Sequence, residues 1–283
     1  MSKSGIRTDL AMEAHEFSMR NGESPEGVSV SREFSGDIEI MRVEIENEKG
    51  AKRLGKAIGS YVTIQTPSMK YSITDYEQTI RLVASELRKM AKIEQERQTL
   101  VVGLGNREIT PDAIGPHTVS RLLVTRHIMD FFDKPVSKVC ALAPGVLGTT
   151  GIETTDIIKG VVKMVKPELV IAVDALAAAD ISRLATTIQI ADTGIQPGAG
   201  IGNNRKGLNE ATLGVPVIAI GVPTVIDASA ISTTELPQEL EPMLVTANDI
   251  DLVVERMSSA VANGINRALH SGMSVREIEE LTA

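Results

Sequence analysis

The sequence predicts an α/β fold, namely an open, mostly parallel sheet covered by helices on both faces, with an antiparallel elaboration at its N-terminal end. From residue 99 onward, short runs that are apolar at every position alternate with helical patterns, as in strands buried on both faces. Before that point, β-rich segments follow one another across short turns, which favours antiparallel pairing. The 283 residues, 42% of them hydrophobic, can bury a sizeable core.

The N-terminal part, residues 10–98, contains three predicted strands and one predicted helix. A break in the apolar alternation of the second strand at Met41 predicts a β-bulge. The capping-box pattern from Thr74 to Glu77 predicts a helix that runs to about Ile93. The strands are Val28–Phe34, Asp37–Glu46 and Tyr61–Thr66, separated by Ser35-Gly36 and by the charged stretch Asn47–Gly59.

The second part, residues 99–283, forms the predicted α/β core. Five apolar runs predict its strands: Leu100–Leu104, Val139–Leu142, Leu169–Val173, Thr187–Ile190 and Val215–Ile220. Apolar residues at helical spacing predict helices over His117–Phe132, Ile157–Val165 and Ile250–Leu269, and Pro167 ends the second of them. No internal repeat is visible, so the two parts are expected to form one domain.

The composition excludes several classes of function. Acidic residues outnumber basic ones by 37 to 29, which gives a net charge of −8 and argues against a nucleic-acid partner. Trp is absent and aromatic residues make up 2%, which argues against sites built on stacked rings. The single Cys140 fits a reducing compartment, and the sequence shows neither a signal core nor an apolar span of about 20 residues. A cytoplasmic protein without a membrane partner is expected.

Asp112 stands in a proline-bounded turn that follows a buried strand and two glycines, Gly103 and Gly105. Catalytic groups of an open α/β sheet lie beyond the carboxyl ends of its strands, where this turn is expected. Glu108 occupies the place of the third glycine of a dinucleotide-binding fingerprint, so that motif is excluded. The alternative is that Asp112 only favours the turn, as aspartate commonly does beside proline.

Asp174 directly follows five apolar strand residues and precedes small apolar ones, so its carboxylate is expected to be partly desolvated. Desolvation raises the pKa of a carboxyl group, and a second carboxylate nearby raises one of the two further. The alternative is that Asp174 caps a short helix. At the ends of adjacent strands, Asp112 and Asp174 would make a catalytic pair.

The segment 192–214 is long and rich in glycine, which in a compact domain indicates a lid or a binding loop. It begins with Asp192-Thr193-Gly194, the triplet of pepsin-like proteases. Those enzymes are all-β and need the triplet twice, whereas it occurs once here in an α/β setting. The triplet is therefore interpreted as a turn.

The remaining polar residues carry weaker signals. His15, His127 and His270 lack metal-ligand spacing, and His117 at a helix start could either approach Asp112 or cap the helix. Neither H-E-x-x-H nor G-x-S-x-G occurs, which excludes zincins and α/β-hydrolase elbows. Cys140, inside an apolar strand, is interpreted as a buried hydrophobe. No cofactor and no resident metal are predicted.

Longer motifs follow one another in order along nearly the whole chain. They include Ile6-Arg7-Thr8-Asp9-Leu10-Ala11, Val102-Gly103-Leu104-Gly105-Asn106, Thr110-Pro111-Asp112-Ala113, Ala143-Pro144-Gly145-Val146, Ile171-Ala172-Val173-Asp174-Ala175 and Gly221-Val222-Pro223-Thr224. In this order and length, they closely resemble the germination proteases of endospore-forming bacteria.

That resemblance implies an endopeptidase that degrades small acid-soluble spore proteins when a spore germinates, in the cytoplasm of the spore core. It carries the family's two essential aspartates onto Asp112 and Asp174. It also implies a fold like that of hydrogenase maturation endopeptidases, a homotetramer, and a zymogen that cleaves itself near its N-terminus. The expected partners are the substrate proteins and further copies of the chain, not nucleic acid.

Self-cleavage is predicted between Asp9 and Leu10, which makes residues 1–9 a propeptide and residues 10–283 the protease domain. The segment Thr8–Glu13 has the same order of hydroxyl, acid, apolar, small and acid as the family's substrate consensus, Thr-Glu-(Phe/Ile)-Ala-Ser-Glu. A helix start capped by Thr8 or Asp9 is compatible with this prediction. The chain departs from better-known members in its short leader and in Asp227–Asn248, which stands where they carry a long insertion.

The predicted mechanism uses one carboxylate as general base on a water molecule, while the other, protonated, polarises the scissile carbonyl. Asn106 and the backbone amide of Gly105 are candidate oxyanion donors. Two rival interpretations remain open, a metal-dependent peptidase of the same fold and a non-catalytic binder in which Asp112 and Asp174 hold a peptide or a metal. Two carboxylates without a histidine supply too few ligands for a typical zinc site.

Overall fold

The computed structural model describes residues 8–20, 25–67, 69, 71–93, 97–132, 136–196, 206–231 and 243–282, which build a mixed sheet with helices on both faces. The strands are β1 (Val28–Ser35), β2 (Ile38–Ile45), β3 (Gly59–Gln65), β4 (Gln98–Gly103), β5 (Lys138–Leu142), β6 (Leu169–Ala178), β7 (Thr187–Ala191), β8 (Val217–Asp227) and β9 (Leu244–Val245). The helices are α1 (Ala11–Arg20), α2 (Glu48–Leu54), α3 (Ile73–Ala91), α4 (Ile114–Val119), α5 (Leu147–Thr150), α6 (Thr154–Val165), α7 (Glu210–Leu213), α8 (Ala228–Ile231), α9 (Ile250–Leu269) and α10 (Val275–Thr282).

The strands follow the order β1-β2-β3-β7-β8-β6-β4-β5, with β9 beside β8. Strands β5, β4, β6 and β8 are parallel, whereas β1, β2, β3 and β7 pair antiparallel, and β7 is also antiparallel to β8. The α/β class is thus confirmed, but the predicted parallel arrangement is wrong for β7. Only residues 179–186 connect β6 to β7, and a parallel crossover needs about a dozen residues or more, so the chain turns back instead.

Each face of the sheet has its own apolar layer. Helices α3, α4 and α9 cover one face, where Ile80, Ile114 and Ile265 pack in the main core cluster. Helix α6 covers the parallel strands on the other face through Ile158 and Val162. Helix α1 covers the antiparallel strands on that same face. Among the described residues, none of the helices combines the length and apolarity needed to cross a membrane.

Strand β2 contains no bulge at Met41, so that prediction is wrong. Its register with β1 and with β3 runs without a shift through Met41, which pairs with Arg32 and Thr63. Ile40 belongs to the main core cluster, whereas Met41 packs beneath helix α1. The apolar residues of β2 face one side of the sheet before Met41 and the other side from Met41 onward, because each face is covered over a different stretch of the strand. The change in the apolar alternation therefore needs no bulge.

Two predicted helical features differ in the structure. Helix α3 is capped by the side chain of Ser72, which accepts the N–H of Asp75, so the predicted capping box from Thr74 is wrong. The predicted helix over 117–132 does not form over its full length, because α4 ends at Val119. Beyond it, the N–H of Leu123 donates to the side chain of Asn266 in α9 at 2.9 Å, and the N–H of Arg126 donates to Val139 of β5. These tertiary bonds replace the helical ones.

Candidate active site

Asp112 ends a 3₁₀ turn, Thr110–Asp112, between β4 and α4. Its Oδ2 accepts a hydrogen bond from the backbone N–H of Asn106 at 2.8 Å. Gly105 has a φ of +107°, and a Cβ at this position would lie 2.0 Å from the backbone carbonyl oxygen of Asp112. The loop therefore needs glycine at position 105, both for its left-handed conformation and for its close contact with Asp112.

Two further glycines allow the start of α4, next to the Asp112 turn, to contact the backbone of β4 and β6. A Cβ on Gly103 would lie 2.2 Å from the carbonyl oxygen of Gly115, the second residue of α4. A Cβ on Gly115 would lie 2.2 Å from the carbonyl oxygen of Leu104 and 2.6 Å from that of Val173. Helix α4 thus begins in backbone contact with the end of β4 and with Val173 inside β6, one residue before Asp174.

Asp174 lies within β6 rather than after it. It pairs with Gly221 of the parallel strand β8, and β6 continues to Ala178. The residue is 5% exposed, and its Oδ1 accepts the N–H of Ala175 at 2.9 Å. The alternative interpretation, a cap for a short helix, is therefore wrong, because the chain stays extended beyond Asp174.

Asp112 and Asp174 line the same cavity, of about 430 Å³. Much of its wall is apolar, contributed by Leu104, Ile109, Pro111, Val146, Leu176 and Val225. Thr224 of β8 fixes the Asp112 turn from the opposite side, since its buried hydroxyl donates to the carbonyl oxygen of Pro111 at 2.6 Å. The two aspartates therefore line one cavity, although Asp174 lies inside its strand and not at the strand end as expected.

The chain's own N-terminal segment enters this cavity. Asp9 lines it, and the backbone N–H of Asp9 donates to the carbonyl oxygen of Ala177 at 3.0 Å. The N–H of Ala177 in turn donates to Asp9 Oδ2 at 2.8 Å. Leu10 is fully buried next to it. Of the two residues predicted to flank the self-cleavage, Asp9 therefore lines the cavity of the two aspartates, and Leu10 is the buried residue that follows it.

The candidate oxyanion donors Asn106 and Gly105 lie on the Asp112 side of the cavity. The backbone N–H of Asn106 is already donated to Asp112, and its side-chain oxygen accepts the N–H of Glu108 at 3.1 Å. Their contact with Asp112 gives both residues a role in orienting that carboxylate. Oxyanion donation by Asn106 or by the amide of Gly105 stays a prediction.

The glycine-rich segment 192–214 is described at its two ends, and residues 197–205 lie outside the described residues. Asp192 Oδ1 accepts the backbone N–H of Ser60 at 2.8 Å, and Gly194 has a φ of +74°, which is typical of a turn. Ile195 and Leu208 pair across the segment, and Gln196 lines the cavity of the aspartates. The structure gives the Asp-Thr-Gly triplet a turn role.

The histidines and the cysteine singled out in the sequence do not line the cavity of the two aspartates. His270 is buried and its Nε2 lies 3.1 Å from the carbonyl oxygen of Leu123, and burial lowers its pKa. His117 is half-buried in α4, where burial and the charges of Arg121 and Arg107 lower its pKa. Cys140 in β5 is half-buried and not fully buried as predicted, its Sγ lies 3.6 Å from the carbonyl oxygen of Thr99, and burial raises the pKa of its thiol. Among the described residues, no three His, Cys, Asp or Glu side chains are grouped as a metal site would need.

Two side chains that the sequence did not single out contact the N-terminal segment. Lys56, just after α2, donates from Nζ to the carbonyl oxygen of Thr8 at 2.9 Å. Gln189, in β7, donates from Nε2 to the carbonyl oxygen of Asp9 at 3.2 Å. No local pattern marks either residue, because the contacts join positions far apart in the chain.

Comparison with known proteins gives a consistent result. The sequence model of the germination protease family matches residues 7–240, a range that includes Asp9, Leu10, Asp112 and Asp174. The chain is 40% identical to the germination protease of Caldanaerobacter subterraneus subsp. tengcongensis, over 98% of either chain. It is 41% identical to that of Clostridium perfringens, over 97% of this chain and 98% of the relative. With the germination protease of Priestia megaterium it shares 40% identity over 100% of this chain and 77% of the relative.

Proposed function

This chain belongs to the germination protease family and is an endopeptidase, and we propose that Asp112 and Asp174 are its catalytic carboxylates. The observation that carries the proposal is their shared cavity, which backbone contacts at Gly105 and Gly115 hold in place. We further propose that the substrates are small acid-soluble spore proteins, degraded in the spore core during germination.

The proposed reaction is hydrolysis of a peptide bond by water. One carboxylate takes a proton from the attacking water, and the other carboxyl, protonated, donates a hydrogen bond to the scissile carbonyl. The bond between the carbonyl carbon and the nitrogen then breaks, and the nitrogen leaves with a proton as an amine. The apolar wall of the cavity strengthens these electrostatic interactions, because it keeps bulk water away from the reacting groups.

The same site is proposed to cut the chain itself between Asp9 and Leu10. Asp9 lines the cavity of the two aspartates, which supports access of its carbonyl to them. Leu10, Ala11 and Met12 are fully buried against β2, β3 and β6. Residues 1–9 would thus leave as a propeptide, while residues 10–283 form the protease domain, of which 10–98 supply the antiparallel strands and 99–283 the core.

Two finer features follow from the family resemblance and are part of the proposal. The fold is proposed to resemble that of the hydrogenase maturation endopeptidases, in keeping with the parallel centre of the sheet. The chain is proposed to assemble as a homotetramer, which light scattering coupled to size-exclusion chromatography would test by its molar mass.

The test of catalysis uses a peptide that contains Thr-Glu-Phe-Ala-Ser-Glu. The wild-type protein and the variants Asp112→Asn and Asp174→Asn are incubated with it, with and without a chelator. Asp156→Asn, on the exposed face of α6, is the matched control. Cleavage that resists the chelator and is lost in both site variants, but not in the control, supports the proposal.

Three other outcomes refute parts of it. Full activity in Asp112→Asn or in Asp174→Asn would exclude that residue as a catalyst. Loss of wild-type activity with the chelator would instead favour the metal-dependent peptidase. Binding of the peptide without cleavage would identify a non-catalytic binder.

A further inference from the structure

The segment Thr8–Glu13 contacts the protein at successive positions on both sides of the bond proposed to be cut. From these contacts we infer that Lys56 and Gln189 are substrate-recognition residues of the protease. Gln189 holds the carbonyl of the scissile bond, and Lys56 selects an acidic residue immediately before it. The inference rests on the proposed cleavage between Asp9 and Leu10.

Gln189 forms hydrogen bonds with the N-terminal segment on both sides of the proposed cleavage site. Its side chain is 7% exposed, so it has few alternative partners in water. Nε2 donates to the carbonyl oxygen of Asp9 at 3.2 Å, and Oε1 accepts the N–H of Ala11 at 2.8 Å. In amide hydrolysis that carbonyl oxygen gains negative charge, and a donor already in place stabilises the charge as it develops. Gln189 is thus a catalytic residue that contacts the reacting carbonyl.

Lys56 provides a positive charge beside the acidic residue at the cut. Gly55 ends helix α2 in a left-handed conformation and turns the chain so that Lys56 points to the N-terminal segment, where Nζ meets the Thr8 carbonyl at 2.9 Å. Lys56 and Asp9 line a second cavity, of about 340 Å³. Burial lowers the pKa of Lys56, and the nearby charges of Asp9 and Glu13 partly offset that shift.

The peptide itself is held in one conformation at the cut. The N–H of Leu10 donates to the hydroxyl of Thr8 at 2.9 Å, and that hydroxyl donates to the carboxylate of Glu13. Glu13 is 1% exposed and accepts the N–H groups of Ala179 at 2.9 Å and of Asp180 at 2.8 Å. A sequence with a hydroxyl, an acid and a second acid at these spacings therefore fits the same set of contacts.

The same contacts would serve the cleavage of other chains. Loss of residues 1–9 would vacate the positions beside Lys56 and the cavity of the two aspartates. The acidic residue of a second chain can then pair with Lys56, while its carbonyl meets Gln189. A peptide with an acidic residue directly before the cut, as in the family consensus, would bring its carboxylate close to Lys56, whereas a neutral residue there would not.

The experiment measures coupling between Lys56 and that acidic residue. Protein that has completed its own processing is given a peptide with the sequence of residues 5–16, and a second peptide in which the residue corresponding to Asp9 is Asn. Wild-type protein is expected to prefer the first peptide by about 30-fold in kcat/KM, as for a desolvated charge pair. In Lys56→Met the preference should fall to about 2-fold or less. Lys52→Met, an exposed lysine of α2, should keep the wild-type preference.

A second variant tests Gln189 by a different readout. Gln189→Glu keeps the acceptor for Ala11 but replaces the amide donor, so kcat should fall about 100-fold with little change in KM. Unchanged kcat in this variant would overturn the role of Gln189, and an unchanged preference in folded Lys56→Met would overturn that of Lys56. Circular dichroism establishes that the variants fold, and Lys56→Gln replaces Lys56→Met if the latter does not. A wild-type protein that cuts neither peptide would refute the proposed function itself, whereas cleavage without coupling refutes only the subsites.

Discussion

Substitution of Gly115 by alanine should separate the two aspartates without touching either of them. The new Cβ would lie 2.2 Å from the carbonyl oxygen of Leu104, and Cβ atoms in proteins essentially never come closer than 3.0 Å to such an atom. Helix α4 and the Asp112 turn before it must therefore move away from β4 and β6 by about 0.8 Å or more. The neighbouring atoms are backbone, so they cannot rotate aside as a side chain could.

The expected consequence is a loss of activity larger than the loss of stability. A misplacement of about 1 Å between catalytic groups costs on the order of 100-fold in rate. Overpacking of a core typically costs about 1–3 kcal/mol. The assay compares kcat on the Thr-Glu-Phe-Ala-Ser-Glu peptide with the free energy of unfolding in urea.

Gly160→Ala in α6 is the control for a glycine-to-alanine change in a helix. A Cβ there meets nothing within 4 Å, so activity should be unchanged and the helix should gain up to about 1 kcal/mol. Wild-type kcat in Gly115→Ala would refute the argument that close backbone contact at this residue sets the distance between Asp112 and Asp174.

Two further predictions concern the support of the site and the pH dependence of stability. Thr224→Val removes the donor to Pro111, so it should destabilise the protein by about 1–3 kcal/mol in urea unfolding and lower kcat, and a stability equal to wild type would contradict the role of that bond. Burial lowers the pKa of His270 below its ordinary 6.5, so as pH falls through 6.5 the unfolded chain takes up a proton before the native one. Stability should therefore fall with pH below about 6.5, by at most about 1.4 kcal/mol per pH unit from this group, and His270→Gln should flatten the dependence. An identical pH profile of the urea midpoint in His270→Gln would show that other groups cause it.

The site could be predicted from the sequence only in part. Asp112 and Asp174 could be singled out because Asp174 directly follows an apolar run and Asp112 lies in the loop after another, and catalytic groups collect at that edge of an α/β sheet. The family motifs around both residues, and the resemblance of Thr8–Glu13 to a substrate, added a specific chemistry. Nothing local distinguished Lys56 or Gln189, since their significance lies in contacts with a segment far away in the chain.

The sequence by itself determined the apolar strands, the long helix α9 and the family to which the chain belongs. These features depend on short-range periodicity or on ordered motifs, which local residues encode. Tertiary structure decided the direction of β7, the early end of α4 and the absence of a bulge at Met41, because each depends on which partner a strand or backbone group meets. It also brought Asp112 and Asp174 to one cavity, with close backbone contact at Gly115 that no neighbouring residue in the sequence reveals.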